Sequence, residues 1–86
     1  MRDIKELIGV LMRVTNGGEV TEGEVLDLEF DADGELLTAL NAAYITLLEF
    51  VHDRSARATD RALDHTQRAV LREKLSRIVA LCDAVN

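Results

Sequence analysis

Apolar side chains recur along this chain with the period of an α-helix in three stretches. One face of residues 2–15 carries the apolar side chains Ile4, Leu7, Ile8, Leu11 and Val14. In the central stretch, residues 34–56, the apolar positions between Leu36 and Val51 cover an arc of roughly 220°, which is wider than the stripe of an ordinary surface helix. In residues 60–85 the apolar seam is formed by Leu71, Leu75, Ile78, Cys82 and Val85. The pattern predicts an all-α chain with three main helices.

The residues between these stretches supply signals for helix ends. Gly17 and Gly18 follow the first stretch, and glycine readily adopts the left-handed conformation that ends a helix. Asp31 or Asp33 is expected to cap the central helix. A break is expected near residues 55–62, where apolar positions thin out. The candidate N-caps for the last helix are Thr59, Asp60 and Asp64.

The acidic connector at residues 17–33 has two interpretations. Thr21 and Glu24 have the spacing of a capping box, which favours a short helix or an extended loop. The apolar residues Leu26, Leu28 and Phe30, however, alternate with acidic residues, and this is the period of a strand. A lone strand would need a partner from a second chain, so the alternative is a strand paired across a dimer.

Length and composition favour a single domain that is reinforced by association. A chain of 86 residues is marginally stable alone, and its one cysteine excludes an internal disulfide. Only 3% of the residues are aromatic, which suits thin, closely packed helices. We therefore expect a single helical domain over residues 1–86, a three-helix bundle with room for a short fourth helix, completed by dimerisation.

The wide apolar arc of the central helix indicates where a second copy would pack. The expected core side of this helix is formed by Leu37, Leu40, Tyr44, Leu47 and Val51. The surplus apolar side, which carries Leu36, Ala43 and Phe50, is the predicted interface between copies.

Charge is distributed unevenly along the chain. The net charge is −6, and eight acidic residues with no basic residue lie between Glu19 and Glu35. On the last helix Arg61, Arg68 and Arg72 lie within about 40° of one another. We interpret these arginines as a patch for an acidic partner, such as the connector of a second copy, with a solvated flank as the alternative. The candidate acidic contacts are Glu22, Glu24, Asp27 and Glu29.

No catalytic, cofactor or metal signature emerges from the sequence. Glu29, Asp31 and Asp33 have the spacing that begins a calcium loop, but the position of the required bidentate glutamate is Leu40. A site built from His52, His65, Asp60 and Asp64 is disfavoured, because the adjacent Asp64 and His65 do not share a helix face. We expect a protein that is not an enzyme and has no cofactor.

The function predicted from these features is a small protein-interaction module, such as a regulator, adaptor or assembly factor, that acts as a homodimer. The N-terminus lacks the apolar core of a secretory signal, so a cytoplasmic, bacterial protein with no membrane contact is expected. One alternative is an acidic protein that masks a partner's basic, nucleic-acid-binding surface. Direct nucleic-acid binding is disfavoured because the chain is acidic and poor in aromatics. Another alternative is a helical phosphotransfer domain that uses His52.

Overall fold

The computed structural model describes residues 4–85, with side chains described through residue 83, and contains five helices in that part. The helices are α1 (Lys5–Thr15), α2 (Glu22–Leu26), α3 (Gly34–His52), α4 (Arg54–Thr59) and α5 (Arg61–Val85). No strand occurs among the described residues, so the all-α prediction is confirmed and the strand alternative for the connector is wrong there. Residues 2 and 3 of the predicted first helix, and the Val85 side chain, lie outside the described part.

The predicted glycine end of α1 is confirmed in detail. Gly17 has a φ of 96°, a left-handed value that a residue with a side chain adopts at a cost. Its N–H donates to the Val14 carbonyl at 3.1 Å, and the Gly18 N–H donates to the Arg13 carbonyl at 2.8 Å. This pair of hydrogen bonds is a Schellman motif, which satisfies carbonyls that the end of a helix leaves without partners.

The capping box of the connector is also confirmed, and it begins the short helix α2. The Thr21 hydroxyl accepts a hydrogen bond from the Glu24 backbone N–H at 3.1 Å. In return, the Thr21 backbone N–H donates to Glu24 Oε1 at 3.2 Å. Because both partners satisfy backbone donors at the start of a helix, they fix where α2 begins.

The break between the central and last helices consists of one residue on each side of α4, namely Asp53 before it and Asp60 after it. Helix α3 ends at His52, four residues earlier than the sequence indicated, and Asp60 separates α4 from α5. Among the three candidate caps, Asp60 is the residue that caps α5, since its Oδ1 accepts from the Leu63 N–H at 3.1 Å. The interruption turns the chain back, so that α5 packs along α3.

The core lies where α5 packs against α3 and α1. Its buried apolar side chains are Leu7, Leu11, Val14, Val20, Val25, Leu36, Leu40, Ala43, Leu47, Phe50, Leu71 and Ile78. The prediction for the two sides of α3 is therefore corrected. Leu36, Ala43 and Phe50, predicted as an interface, are buried inside the chain, whereas Leu37, Tyr44 and Val51 are only partly buried.

The correction has a simple packing cause. The 25-residue helix α5 covers the side of α3 that carries Ala43 and Phe50. The opposite side is covered by the connector, where the Phe30 ring lies 5.7 Å from the Tyr44 ring in a tilted arrangement. One chain therefore covers more of the apolar arc of α3 than its length suggested.

Helix α3 is the one helix of the described part that is long and apolar enough to cross a membrane, judged by length and composition. The core helix of a soluble protein meets the same criterion. Leu36, Leu40, Ala43, Leu47 and Phe50 of α3 are buried against other parts of the chain. The structure is therefore compatible with a soluble protein.

Candidate interaction surface

A buried arginine on the short helix α4 organises the most polar region of the structure. The Arg57 side chain is only 2% exposed. Its two terminal nitrogens donate to both carboxylate oxygens of Glu19, at 3.1 and 3.3 Å, and one of them also donates to Asp64 at 2.8 Å. Its Nε donates to the Phe50 carbonyl at 3.0 Å. Because a guanidinium is planar with donors on three sides, a single arginine can hold all three partners at once.

Arg68 joins the same two carboxylates and closes a ring of ion pairs, which we term the ion-pair cluster (Glu19, Arg57, Asp64, Arg68). Its Nε donates to Asp64 at 2.9 Å and its Nη2 to Glu19 at 2.6 Å. Both guanidinium groups also lie near the Phe50 ring, at 3.4 Å for Arg57 and 5.1 Å for Arg68. These distances are within the range of a cation–π interaction.

The cluster holds its carboxylates in the charged form. Burial raises the pKa of Glu19, but the hydrogen bond and charge of Arg57, followed by the charge of Arg68, outweigh it and leave the pKa below the ordinary 4.5. Hydrogen bonds from Arg68 and then Arg57 hold the pKa of Asp64 below 3.8. Burial lowers the pKa of Arg57, but its hydrogen bonds to Glu19 and Asp64 outweigh burial and leave the pKa above its ordinary value. Neither carboxylate is therefore suited to take up a proton near neutral pH.

The predicted arginine patch is corrected by these contacts. Besides its carboxylate partners, Arg68 donates at 2.7 Å to the carbonyls of both Val14 and Gly18, and Arg72 donates to the Thr15 carbonyl at 2.8 Å. Both arginines thus bind carbonyls at or just beyond the end of α1 in their own chain. Arg61 is exposed and forms no ion pair within the described residues. Two of the three arginines that were predicted to contact a second copy's connector are therefore engaged within their own chain.

The acidic connector divides into an engaged part and a free part. Glu22 binds His52 Nε2 at 2.7 Å, and Glu24 binds Arg13 on α1. By contrast, the exposed Asp27, Glu29 and Asp31 form no ion pair within residues 4–85. Of the four predicted acidic contacts, Glu22 and Glu24 are therefore paired inside the chain, and Asp27 and Glu29 remain exposed.

Arg57 was missed because the sequence marks it only weakly. It lies in a stretch where apolar residues are sparse, and its partner Glu19 is 38 residues away. One local signal was available. On a continuous helical wheel Arg57, Asp64 and Arg68 fall within about 40° of one another, which places an acid between two arginines.

An open concavity lies between α3 and α5, and we call it the α3–α5 groove. Its volume is about 730 Å³, and it is lined by Gly34, Glu35, Thr38, Ala39, Ala42, Glu73, Lys74 and Arg77. Apart from Glu35, small side chains form the α3 wall, and long charged side chains form the α5 wall. Glu35, Lys74 and Arg77 form no ion pairs in the part of the chain that the structure describes.

The metal site considered from the sequence is not assembled in the described part. No three His, Cys, Asp or Glu residues come together there to hold a metal ion. His52 is exposed and bound to Glu22, and the candidate metal residues Asp60 and Asp64 are occupied by the α5 cap and by the ion-pair cluster.

The fold and these surfaces define a small all-α protein with three long and two short helices among its described residues. Comparison with protein-family models, curated proteins and solved structures gave no match.

Proposed function

We propose that this chain is a small non-enzymatic interaction module that acts as a homodimer in the cytoplasm. The observation that carries the proposal is the open α3–α5 groove of about 730 Å³, a concavity large enough to receive side chains from another helix. Two large apolar side chains on the same two helices, outside the groove lining, remain exposed. Ile45 on α3 is 56% exposed, and Val70 on α5 is 36% exposed. Exposed apolar residues beside a concavity are typical of protein-binding surfaces.

Sedimentation velocity of the purified chain tests the association directly. Across concentrations from about 1 to 100 µM, the range in which moderate affinities appear, we expect the mass to rise from 9.5 kDa toward twice that value. A mass of 9.5 kDa at every concentration would contradict the homodimer.

A second candidate function is an acidic protein that occupies a partner's basic surface. The observation that favours it is the free part of the connector, where Asp27, Glu29 and Asp31 are exposed and form no ion pair within the described residues. Unpaired charges of one sign attract a partner of the opposite sign.

Fluorescence anisotropy of a labelled arginine-rich peptide tests this second candidate. The wild type should bind the peptide, and a variant with Asp27→Asn, Glu29→Gln and Asp31→Asn should bind it much more weakly. A matched control with Glu6→Gln, Glu49→Gln and Asp83→Asn has the same net charge, because it also neutralises three exposed acids, and these lie outside the connector and the groove lining. Equal binding by the two triple variants would refute a specific role for the connector.

A further inference from the structure

The two walls of the α3–α5 groove run in opposite directions. At one end, Gln67 Nε2 on α5 donates to Asp53 Oδ2, just after α3, at 2.7 Å. At the other end, Glu35 near the start of α3 and Arg77 far along α5 line the same groove. Residues 35 and 77 are therefore at one end of this antiparallel helix pair and residues 53 and 67 at the other, with residues near 45 and 70 between them.

Helical spacing extends the groove beyond its lining residues with an apolar end. Ile45 follows Ala42 by three positions, and Val70 precedes Lys74 by four, so each continues the groove-facing side of its own helix. Both are among the exposed large apolar side chains, at 56% and 36%. By this spacing the groove face has a charged end, where Glu35 and Arg77 line the groove, and an apolar end beyond the lining, where Ile45 and Val70 lie.

The groove is electrically neutral on a strongly acidic protein. Its charged residues are two acids, Glu35 and Glu73, and two bases, Lys74 and Arg77. The whole chain carries −6, so two copies repel each other over most of their surfaces. The groove face is therefore a place where a second copy meets little repulsion.

From this distribution we infer that the groove is the interface of a two-fold symmetric dimer, with the symmetry axis along the groove. This inference rests on the proposed function. The axis places α3 of each copy over α5 of the other while keeping residues at the same level along the groove. Glu35 of one copy then faces Arg77 of the other, and Ile45 of one copy faces Val70 of the other. Each of these two contacts occurs twice in the dimer. The first joins opposite charges, and the second joins apolar side chains.

The size of the surface is adequate for such a dimer. A standard stable interface covers about 800 Å² on each partner. That is roughly a seventh of the 5399 Å² accessible surface of this chain. One broad side of a molecule whose principal extents are 42, 23 and 18 Å has an area of that order, so the interface would extend from the groove over Ile45, Val70 and their neighbours.

Substitution of Ile45 tests the location of the interface. Ile45→Glu places a carboxylate in both apolar contacts, and we expect the dimer dissociation constant to rise by at least about 100-fold in sedimentation equilibrium. Met12→Glu is the matched control, because Met12 on α1 is 52% exposed and the change adds the same charge away from the groove. Circular dichroism establishes that both variants remain helical.

A charge exchange tests the register without adding a charge to the apolar end. Glu35→Arg alone should be monomeric, because the introduced guanidinium would face Arg77 of the other copy. Arg77→Glu alone should also be monomeric, because the introduced carboxylate would face Glu35. Mixed in equal amounts, the two variants should form a heterodimer, since the contacts at the charged end become opposite in sign. Native mass spectrometry distinguishes the heterodimer by its mass.

The outcomes separate this inference from the proposed function. A wild-type dimer that Ile45→Glu leaves intact, or charge variants that do not recover on mixing, would overturn the groove interface and leave a homodimeric module with another interface. A wild type that is monomeric at 100 µM would overturn the inference and the homodimer together, and would leave the groove to a different partner.

Discussion

Replacement of Arg57 by alanine is expected to be the most damaging single change in the polar part of the structure. The side chain is 2% exposed, and it serves Glu19, Asp64 and the Phe50 carbonyl simultaneously. Removing one partner of a fully buried ion pair typically costs about 3–5 kcal/mol. Here the carboxylate side chains of Glu19 and Asp64 are 40% and 31% exposed, so water can solvate them again and the ion-pair part of the loss falls to about 1–2 kcal/mol.

Two further losses act on Phe50. Its carbonyl lies near the end of α3 and loses a donor, which costs about 1 kcal/mol. Its ring loses the guanidinium at 3.4 Å, which is worth about 0.5–1 kcal/mol. Relief of the desolvation of the guanidinium offsets part of the total. We therefore expect Arg57→Ala to lower the free energy of unfolding by about 2–3 kcal/mol.

Thermal and urea unfolding followed by circular dichroism measure this loss. In a chain of this size, 1 kcal/mol shifts Tm by about 4–8 °C, so the midpoint should fall by roughly 10–20 °C. Arg57→Lys should recover at most half of the loss, because an ammonium cannot bridge two carboxylates and a carbonyl with the geometry of a guanidinium. Arg61→Ala is the control and should change stability by less than about 0.5 kcal/mol. If Arg57→Ala were as stable as this control, the ion-pair cluster would not stabilise the fold.

Three other predictions address the parts that meet at the cluster and the connector. The pKa values of Glu19 and Asp64 are lower in the folded chain than the unfolded values of 4.5 and 3.8. The two carboxylates therefore stabilise the fold fully above those unfolded pKa values, and this stabilisation is lost as the pH falls through the lower folded pKa values. Acid titration of Tm should show this loss, and a Glu19→Gln variant that lost as much stability on acidification would refute it. Gly18→Ala places a Cβ 2.8 Å from the Arg13 carbonyl oxygen and should lower the free energy of unfolding in urea by about 1–2 kcal/mol. The control Gly9→Ala places a Cβ with nothing within 4 Å and should raise it by about 0.5–1 kcal/mol. Equal effects of the two substitutions would contradict the steric explanation. Thr21→Ala removes the cap of α2 and should cost about 1 kcal/mol, with faster amide exchange in α2 than in a Thr21→Ser control; unchanged exchange would show that the cap does not hold α2.

Local patterns were sufficient to predict much of the secondary structure. The glycine end of α1, the capping box at Thr21 and the Asp60 cap are each decided by residues within a few positions of one another. These are contacts that sequence spacing encodes directly. The apolar period likewise predicted the three long helices, although the end of α3 was placed four residues late.

Long-range partners could not be predicted in the same way. Glu19 reaches Arg57 across 38 residues and Arg68 across 49, and no local pattern specifies which acid will meet which arginine. The side of α3 that faces α5 was also assigned wrongly. Its apolar arc is wide, so the periodicity alone did not distinguish the side buried by α5 from the side covered by the connector.

The same unequal charge distribution that suggested contact between copies is partly used inside each copy. Glu19 from the acidic connector meets Arg57 on α4 and Arg68 on α5, and Glu24 from the connector meets Arg13 on α1. These ion pairs within the chain thus use charges that would otherwise attract a partner. The free acids that remain on the connector would repel a second copy. We therefore expect self-association to occur at the neutral groove between α3 and α5, and a basic partner to bind the connector.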